Sequence, residues 1–161
     1  ESATRLAELE KVSQHELRLL QTATFYHDAG MLLTYEGHEK ASTEIASEML
    51  PVYNYSQQDI AAINKMIMAT KLPQNAHTLL EKIICDADLD YLGRDDFFLI
   101  AHRLKLEWME RGTKNTLRQW YEGQIQFLEQ HRYFTESAKK LRLQKKKKNL
   151  GEIRELFNHK V

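Results

Sequence analysis

Residues that break helices are scarce in this chain, which has two prolines and six glycines among its 161 residues. Most of these breakers stand between segments whose apolar residues recur every three or four positions, the spacing of one helix face. Segments with the pattern of a β-strand are hard to find. We therefore expect an all-α fold.

Two serine-led patterns predict where helices begin. Ser13 is followed three residues later by Glu16, and Ser56 by Asp59, so each serine can accept an early backbone N–H of its helix. The predicted helices run from Ser13 through His27, from about Glu39 to Leu50, from Ser56 to about Thr70, from about Ala76 to Leu92, from about Arg94 to Arg111, and over two long segments after Gly112. Gly93 is interpreted as a helix stop.

The sequence changes character after Gly112, from segments that carry motifs to a segment rich in aromatic and charged residues. With 42% hydrophobic residues, the chain is long enough for one domain with a core and for an appendage. We therefore predict a core over residues 1–112 and a C-terminal helical extension over residues 113–161.

The charge balance argues against a nucleic-acid or membrane partner. The 23 Lys and Arg residues offset the 23 Asp and Glu residues, so no overall field attracts nucleic acid or an acidic membrane. The run Lys145–Lys148 could contact phosphates, but we favour its interpretation as a solvated helix face.

Other features indicate a cytoplasmic protein. Cys85 is the only cysteine and cannot form an internal disulfide, which favours a reducing compartment. No apolar run approaches the roughly 20 residues that span a bilayer, and the amino end does not resemble a signal peptide. Because the sequence opens at Glu1, without an initiator methionine and directly in a helical pattern, we expect a further segment upstream.

Carboxylates and an imidazole cluster at two predicted helix ends. His27-Asp28 ends one amphipathic helix, and "DADLD" with Asp86, Asp88 and Asp90 ends another. Both ends lie behind apolar stripes, and buried unpaired carboxylates are costly, so a divalent cation is one common compensation. Such a donor set suits Mn, Fe or Zn, and Mg where carboxylate and water dominate. Pairing with Arg or Lys, or a loop that merely binds water, is the alternative, and the spacing leaves both open.

Four segments in order resemble a known superfamily. "ATFYHDAG", "GHEKAST", "MIMATKLP" and "IICDADLDYLG" are similar to motifs of the HD-domain superfamily of metal-dependent phosphohydrolases, and closest to its small bacterial members. The similarity covers about residues 3 to 110. It implies an all-helical, HD-domain-like bundle of five or more helices around a metal that is held by a histidine, a His-Asp doublet and a later aspartate.

The resemblance implies a ligand set. It makes His27, Asp28 and Asp88 metal ligands, with Asp86 as the alternative to Asp88. The metal would be Mn, Mg, Fe or Zn, and Asp28 would also count among the catalytic residues.

The resemblance also implies roles for three residues outside the ligand set. His38 and Glu39 match a segment that in some members supplies a second metal ligand or a catalytic side chain. Lys71 falls in a segment near the pocket, where its ammonium would hold a phosphate as a point charge. We therefore expect Glu39 and Lys71 to be catalytic and His38 and Lys71 to bind substrate. Glu39 and Lys71 also suit simple complementation of a helix dipole.

One ligand of the family pattern is missing from the chain. The family's first histidine lies on the helix before the doublet, whereas His15 lies twelve residues before His27 on the same predicted helix. That separation is about 18 Å, and metal–ligand bonds are only about 2 Å long. We therefore expect His15 on the surface. The first ligand would lie upstream of Glu1, or the site is degenerate, and we expect the 161-residue chain alone to bind metal weakly or not at all and to be nearly inactive.

These expectations describe a metal-dependent phosphohydrolase that cleaves a phosphomonoester or phosphodiester of a nucleotide with a metal-activated water. The expected partner is a small phosphorylated substrate. The alternative is a non-catalytic HD-like helical module that binds a ligand or another chain. A homodimer could form through the C-terminal helices. Its seam could contain Trp108, Trp120, Tyr121 and Phe127, although aromatics at helical spacing more often form a core.

Overall fold

The structure, a computed structural model, describes residues 1–160 and the side chains as far as Asn158. The prediction of an all-α fold is confirmed: the described residues form eight α-helices and no β-strand. The helices are α1 (Ser2–Leu9), α2 (Gln14–Tyr26), α3 (His38–Met49), α4 (Gln57–Ala69), α5 (Leu79–Asp88), α6 (Phe97–Glu110), α7 (Leu117–Gln130) and α8 (Glu136–Lys160). Short 3₁₀ helices cover Ala29–Leu32, Leu50–Tyr53 and Asp90–Gly93.

The two predicted serine caps are present. Ser13 Oγ accepts the Glu16 N–H at 3.2 Å, and the Glu16 carboxylate accepts the Ser13 N–H at 2.8 Å, which completes a capping box for α2. Ser56 Oγ accepts the Asp59 N–H at 3.1 Å and begins α4. Local hydrogen bonding was therefore sufficient to place both helix starts.

The fourth predicted helix is shorter than expected. Instead of running over residues 76–92, α5 begins at Leu79, because Glu81 accepts the backbone N–H groups of His77 and Thr78 at 2.8 and 3.2 Å. Thr78 Oγ1 in turn accepts the Glu81 N–H at 3.3 Å. This second reciprocal cap fixes the start of α5 three residues after Ala76.

The chain divides into two compact units at Asp88/Leu89, not at the predicted boundary after Gly112. The reason lies in how residues 89–112 are packed. Phe97 and Ala101 belong to one buried apolar cluster with Trp120, Leu128 and Ile153 from the two C-terminal helices. Helix α6 therefore shares a core with α7 and α8.

The first unit, residues 1–88, contains α1 to α5. Helix α4 contacts α2, α3 and α5, and α1 packs on α2 and α5. Their inward faces form the core, whose most deeply buried members include Leu6, Leu20, Ile63, Ile67 and Ile83. This packing brings the carboxyl ends of α2 and α5 and the amino end of α3 to the same part of the unit.

Polar contacts also hold the second unit together. Arg142 Nε and Nη2 donate to the buried Asp90 carboxylate, at 2.6 and 3.1 Å, and the Asn149 amide donates to the carbonyls of Leu92 and Arg94 at 3.0 Å. Gly93, interpreted above as a helix stop, ends the 3₁₀ helix Asp90–Gly93 and is also required by a close approach. A Cβ at this position would lie 2.5 Å from the Arg142 carbonyl oxygen.

The lysine run in α8 does not form a uniform basic face. Lys145 pairs with Asp95 at 2.8 Å, and Lys148 lies 3.7 Å from Glu152. Lys146 is 5% exposed and donates to the His131 carbonyl at 2.5 Å. The run is therefore divided between partly paired surface lysines and one buried lysine.

Candidate metal centre

The predicted doublet lies at the carboxyl end of α2, and the predicted later aspartate is the last residue of α5. His27 Nε2 is 3.3 Å from Asp28 Oδ2 and 3.5 Å from Asp88 Oδ1. Two carboxylates from distant parts of the sequence therefore meet one imidazole. The three residues implied as ligands are neighbours in the fold.

His38 and Glu39 extend this cluster from the first turn of α3. His38 Nε2 is 3.4 Å from Asp28 Oδ1 and 3.7 Å from Glu39 Oε1. Asp28 thus contacts one imidazole with each of its carboxylate oxygens. The result is a single charge cluster of His27, Asp28, His38, Glu39 and Asp88, which we refer to as the acid–imidazole cluster.

Backbone carbonyls orient both imidazoles. His27 Nδ1–H donates to the Thr24 carbonyl at 2.8 Å, and His38 Nδ1–H donates to the Tyr35 carbonyl at 3.0 Å. With Nδ1 occupied in this way, each Nε2 faces the carboxylates. This is the arrangement in which neutral imidazole can bind a cation through Nε2.

The pKa shifts show an excess of negative charge in the cluster. Burial alone would lower the pKa of His27, but the hydrogen bond to Asp88 and the charges of Asp28 and Asp88 outweigh it and raise the pKa to about 9. Burial raises the pKa of Asp28, and repulsion by Asp88 and Glu39 adds to this despite the opposing imidazoles. Both shifts favour an added positive charge at this position.

A buried hydroxyl holds the turn that presents the doublet. Ser42 Oγ, which is fully buried, donates to the His27 carbonyl at 2.7 Å and accepts the Gly30 N–H at 2.8 Å. Gly30 lies so close to α3 that a Cβ would be 2.1 Å from the His38 carbonyl oxygen. Ser42 and Gly30 therefore lock the doublet against the helix that carries His38, a role that we did not predict from the sequence.

Asp88, and not Asp86, faces His27. The two residues are two positions apart on α5 and so point about 200° apart around the helix axis. Asp86 is 1% exposed, whereas the Asp88 side chain is 27% exposed and contacts His27. The geometry thus favours Asp88 over the alternative ligand.

The structure places Lys71 outside the acid–imidazole cluster. Lys71 is exposed just after α4, and none of the ion pairs in the described part of the chain joins its ammonium to the cluster. Three residues later, Gln74 Nε2 lies 3.4 Å from Asp88 Oδ2 and 3.2 Å from the Cys85 carbonyl oxygen. Gln74 was missed from the sequence, where only its position after the Lys71-Leu72-Pro73 segment hinted at a role.

The cluster borders an open cavity of about 350 Å³. Its lining residues are Glu1, Ser2, Ala3, Thr24, His27, Asp28, Ile84, Ala87 and Asp88. The lining combines the three carboxylates of Glu1, Asp28 and Asp88 and one imidazole with small and apolar side chains. A small polar ligand can therefore reach the three implied ligands from solvent.

Other candidate groups are accounted for differently. His15 has a side chain that is 53% exposed and lies 3.0 Å from Asp59, so its predicted surface position is confirmed. Cys85 is buried, its thiol donates to the Ala69 carbonyl, and burial together with nearby carboxylates raises its pKa to about 12. A thiol with that pKa is not a nucleophile near neutral pH.

The donor chemistry of the cluster fits a divalent cation, although its present arrangement is that of a charge network. Two donors on a tetrahedral ion with bonds of about 2.1 Å lie about 3.4 Å apart, close to the observed 3.3 and 3.5 Å. No group of three or more His, Cys, Asp or Glu side chains in the described residues surrounds a common ion position, however. The carboxylates and imidazoles contact each other directly instead.

Comparison with models of known protein families, with curated proteins and with solved structures gave no match for this chain. Among residues 1–160, no helix is both long enough and apolar enough to cross a membrane. The functional assignment therefore depends on the chain's own residues.

Proposed function

We propose that the protein is a metal-dependent phosphohydrolase of the HD type that cleaves a phosphomonoester or phosphodiester, with a nucleotide as substrate. The observation that carries the proposal is the meeting of Asp28 and Asp88 at His27 Nε2, at 3.3 and 3.5 Å, beside an open cavity. The excess of carboxylate over imidazole in the cluster supports a cation there. The buried, hydrogen-bonded thiol of Cys85 suits a cytoplasmic protein.

His27, Asp28 and Asp88 would hold one ion, with Mn, Mg, Fe or Zn as candidates. When bound, such an ion lowers the pKa of a coordinated water and polarises a phosphoryl oxygen. His27 binds through Nε2 because its Nδ1–H is committed to Thr24. Ser42 holds the His27 backbone, so the imidazole and the Asp28 carboxylate keep their relative positions.

The proposal gives Glu39 and His38 the roles of proton transfer and substrate contact. The Glu39 side chain is 10% exposed and lies 3.7 Å from His38 Nε2. A carboxylate next to an imidazole can accept a proton from an attacking water or return one to a leaving group. We assign proton transfer to Glu39 and substrate contact to His38.

Lys71 is assigned to charge neutralisation. It is exposed on the loop that also carries Gln74, which contacts Asp88. A lysine side chain is long and flexible and presents a compact positive charge. We propose that it reaches a phosphate oxygen of the bound substrate and offsets charge on the equatorial or leaving oxygens.

The second candidate function is a non-catalytic helical module. It is favoured by one observation, that both imidazoles of the acid–imidazole cluster already contact carboxylates of the same unit. The aromatics suggested as a dimer seam do not add to it, because Trp120 is 5% exposed and packs edge-to-face on Trp108 at 5.4 Å within the second unit. Tyr121 and Phe127 also pack against the core of that unit.

The test is a metal titration combined with a hydrolysis screen. Mn²⁺ is titrated into the full chain, into His27→Gln and Asp88→Asn, and into His15→Gln as a matched control on the same helix as His27. We expect both cluster variants to lose at least about tenfold in affinity and the control to lose nothing. In parallel, the Mn²⁺-loaded chain is incubated with nucleotide mono- and diesters, and the released phosphate or nucleoside is measured by chromatography.

Two outcomes would contradict parts of this proposal. Binding that survives both cluster substitutions would show that the ligand set is wrong. Stoichiometric Mn²⁺ binding without hydrolysis of any phosphoester, both with and without millimolar imidazole in place of the expected upstream ligand, would favour the non-catalytic module.

A further inference from the structure

The loop between α4 and α5 connects the acid–imidazole cluster to the end of α5 through one side chain. Gln74 is half-buried, and its Nε2 lies 3.2 Å from the Cys85 carbonyl oxygen and 3.4 Å from Asp88 Oδ2. Both neighbours are acceptors only, so the amide nitrogen, with its two hydrogens, must face them. One amide group thus contacts both the backbone and the last side chain of the same helix.

The first of these contacts caps α5. Cys85 is one of the last four residues of the helix, the part of a helix where carbonyl groups generally need partners from outside. Gln74 donates to the Cys85 carbonyl from the preceding loop. The amide is therefore held at the end of α5 by a contact that does not depend on the Asp88 carboxylate.

The second contact divides the oxygens of Asp88 between two partners. Oδ2 accepts from Gln74, and Oδ1 lies 3.5 Å from His27 Nε2. A carboxylate held at one oxygen has less freedom to rotate, and its other oxygen stays directed at the imidazole. Partners of this kind orient ligands and tune metal affinity.

We infer that Gln74 is a positioning residue that holds Asp88 in the orientation required for metal binding. This inference rests on the proposed function, because it assigns Asp88 to the metal. Gln74 does not touch the ion or the substrate. At 3.4 Å its bond to Asp88 is long, so the expected effect lies at the lower end of the range for such partners, about tenfold in affinity.

The experiment compares Gln74→Met with Gln58→Met in the full chain. Methionine matches glutamine in length but cannot donate, and Gln58 is an exposed glutamine on α4 that serves as control. Co²⁺ is used as the probe, because its visible absorption reports ligand geometry and its titration gives the affinity. We expect Gln74→Met to weaken Co²⁺ binding about tenfold and to change the absorption spectrum, and Gln58→Met to behave like the unsubstituted chain.

The melting temperature without metal separates positioning from capping. A lower melting temperature with unchanged Co²⁺ affinity and spectrum would show that Gln74 only caps α5, and would overturn the inference. If Gln74→Met does not fold, Gln74→Asn provides the test, since its shorter amide cannot reach both acceptors and should weaken Co²⁺ binding in the same direction. Wild-type affinity and spectrum in that variant would equally overturn the inference.

The same experiment distinguishes failure of the inference from failure of the proposed function. If the unsubstituted, folded chain binds no Co²⁺ even when millimolar imidazole is supplied in place of the expected upstream ligand, the metal site itself is wrong and the role of Gln74 is wrong with it. If the unsubstituted chain binds Co²⁺ and Gln74→Met binds it equally well, only the role of Gln74 is wrong.

Discussion

Two largely buried histidines, one in each unit, show how neighbours decide what an imidazole can do. His27 has a carbonyl at Nδ1 and two carboxylates at Nε2, and its pKa is raised to about 9. His131 has neither contact: within the described residues, both of its buried ring nitrogens lack a hydrogen-bond partner. Burial and the positive charges of Lys146 and Arg132 lower its pKa to about 4.

The pKa values of His27 and His131 differ because the two rings have different neighbours, and not because one ring is more deeply buried. The His131 ring packs edge-to-face on Tyr133, with ring centroids 4.6 Å apart, and near Phe127 at 6.3 Å. The His131 ring therefore acts through packing contacts with its neighbouring aromatic rings. His27 is held with its Nε2 directed at two carboxylates. A histidine identified in the sequence therefore needs its contacts before it can be given a role.

The largest expected effect comes from breaking the backbone turn behind His27. Gly30→Ala would place a Cβ 2.1 Å from the His38 carbonyl oxygen and 2.6 Å from the Ser42 nitrogen, and these backbone atoms cannot move aside independently. We expect the free energy of unfolding to fall by about 3 kcal/mol, measured by urea denaturation. Gly123→Ala on α7 is the control, because its Cβ meets nothing within 4 Å, and it should stabilise by roughly 0.5–1 kcal/mol. Equal effects of the two changes would contradict the role given to Gly30.

The second prediction concerns acid stability and His131. Its folded pKa of about 4 lies below the ordinary value of 6.5, so between these values the unfolded chain binds the extra proton and the folded chain does not. Stability should therefore fall as the pH drops from about 6.5 to about 4, and this loss should be absent above pH 6.5. His131→Phe removes the titrating group and keeps the ring packing.

Thermal unfolding at pH 5 and pH 7.5 checks this prediction. We expect His131→Phe to melt several degrees above the unsubstituted protein at pH 5 and to lose most of that advantage at pH 7.5. The exposed His102, changed to Phe, is the matched control and should show no such dependence. A pH-independent difference for His131→Phe would show that packing alone, and not protonation, separates the two proteins.

The third prediction tests the missing ligand at His27. If the acid–imidazole cluster lacks one imidazole of the family pattern, free imidazole in solution should occupy that position. We expect millimolar imidazole to raise the Mn²⁺ affinity of the chain about tenfold. The affinity is measured from the electron paramagnetic resonance signal of free Mn²⁺. The Asp88→Asn chain, which lacks a further ligand, should gain less, and no gain in the unsubstituted chain would refute the missing imidazole.

Parts of the fold and of the candidate site were predictable because their causes are local. Ser13 and Ser56 predicted helix starts through bonds that span three residues, and the doublet His27-Asp28 came from adjacent positions. Ser42 and Gln74 could not be predicted in this way. Their partners lie 12 and 14 residues away in the sequence and become neighbours only when helices pack.

The boundary between the two units was also not predictable from local sequence. The change in composition after Gly112 marks where the motifs end, but composition does not show which core a helix joins. Phe97 and Ala101 on α6 share a core with α7 and α8, and Arg142 reaches back to Asp90. The division at Asp88 therefore follows from contacts between residues far apart in the chain.

The smallest expected effect comes from two matching helix caps, one in each unit. Ser13 and Glu16 form a capping box at the start of α2, and Thr116 and Gln119 form the same arrangement at the start of α7, with bonds of 2.9 and 3.2 Å. Removing either hydroxyl should cost about 1 kcal/mol, because one backbone N–H of the first turn loses its acceptor. Thr113→Ala, at an exposed position before α7, is the control.

Hydrogen exchange read by mass spectrometry shows where each loss is felt. If the two units unfold separately, Ser13→Ala should speed exchange within residues 1–88 and leave residues 89–158 unchanged, and Thr116→Ala should do the reverse. Faster exchange across both ranges in both variants would mean that the chain unfolds as one cooperative structure. The contrast between His27 and His131 would then belong to two environments within one folding unit, and a stability change at either histidine would reach the other.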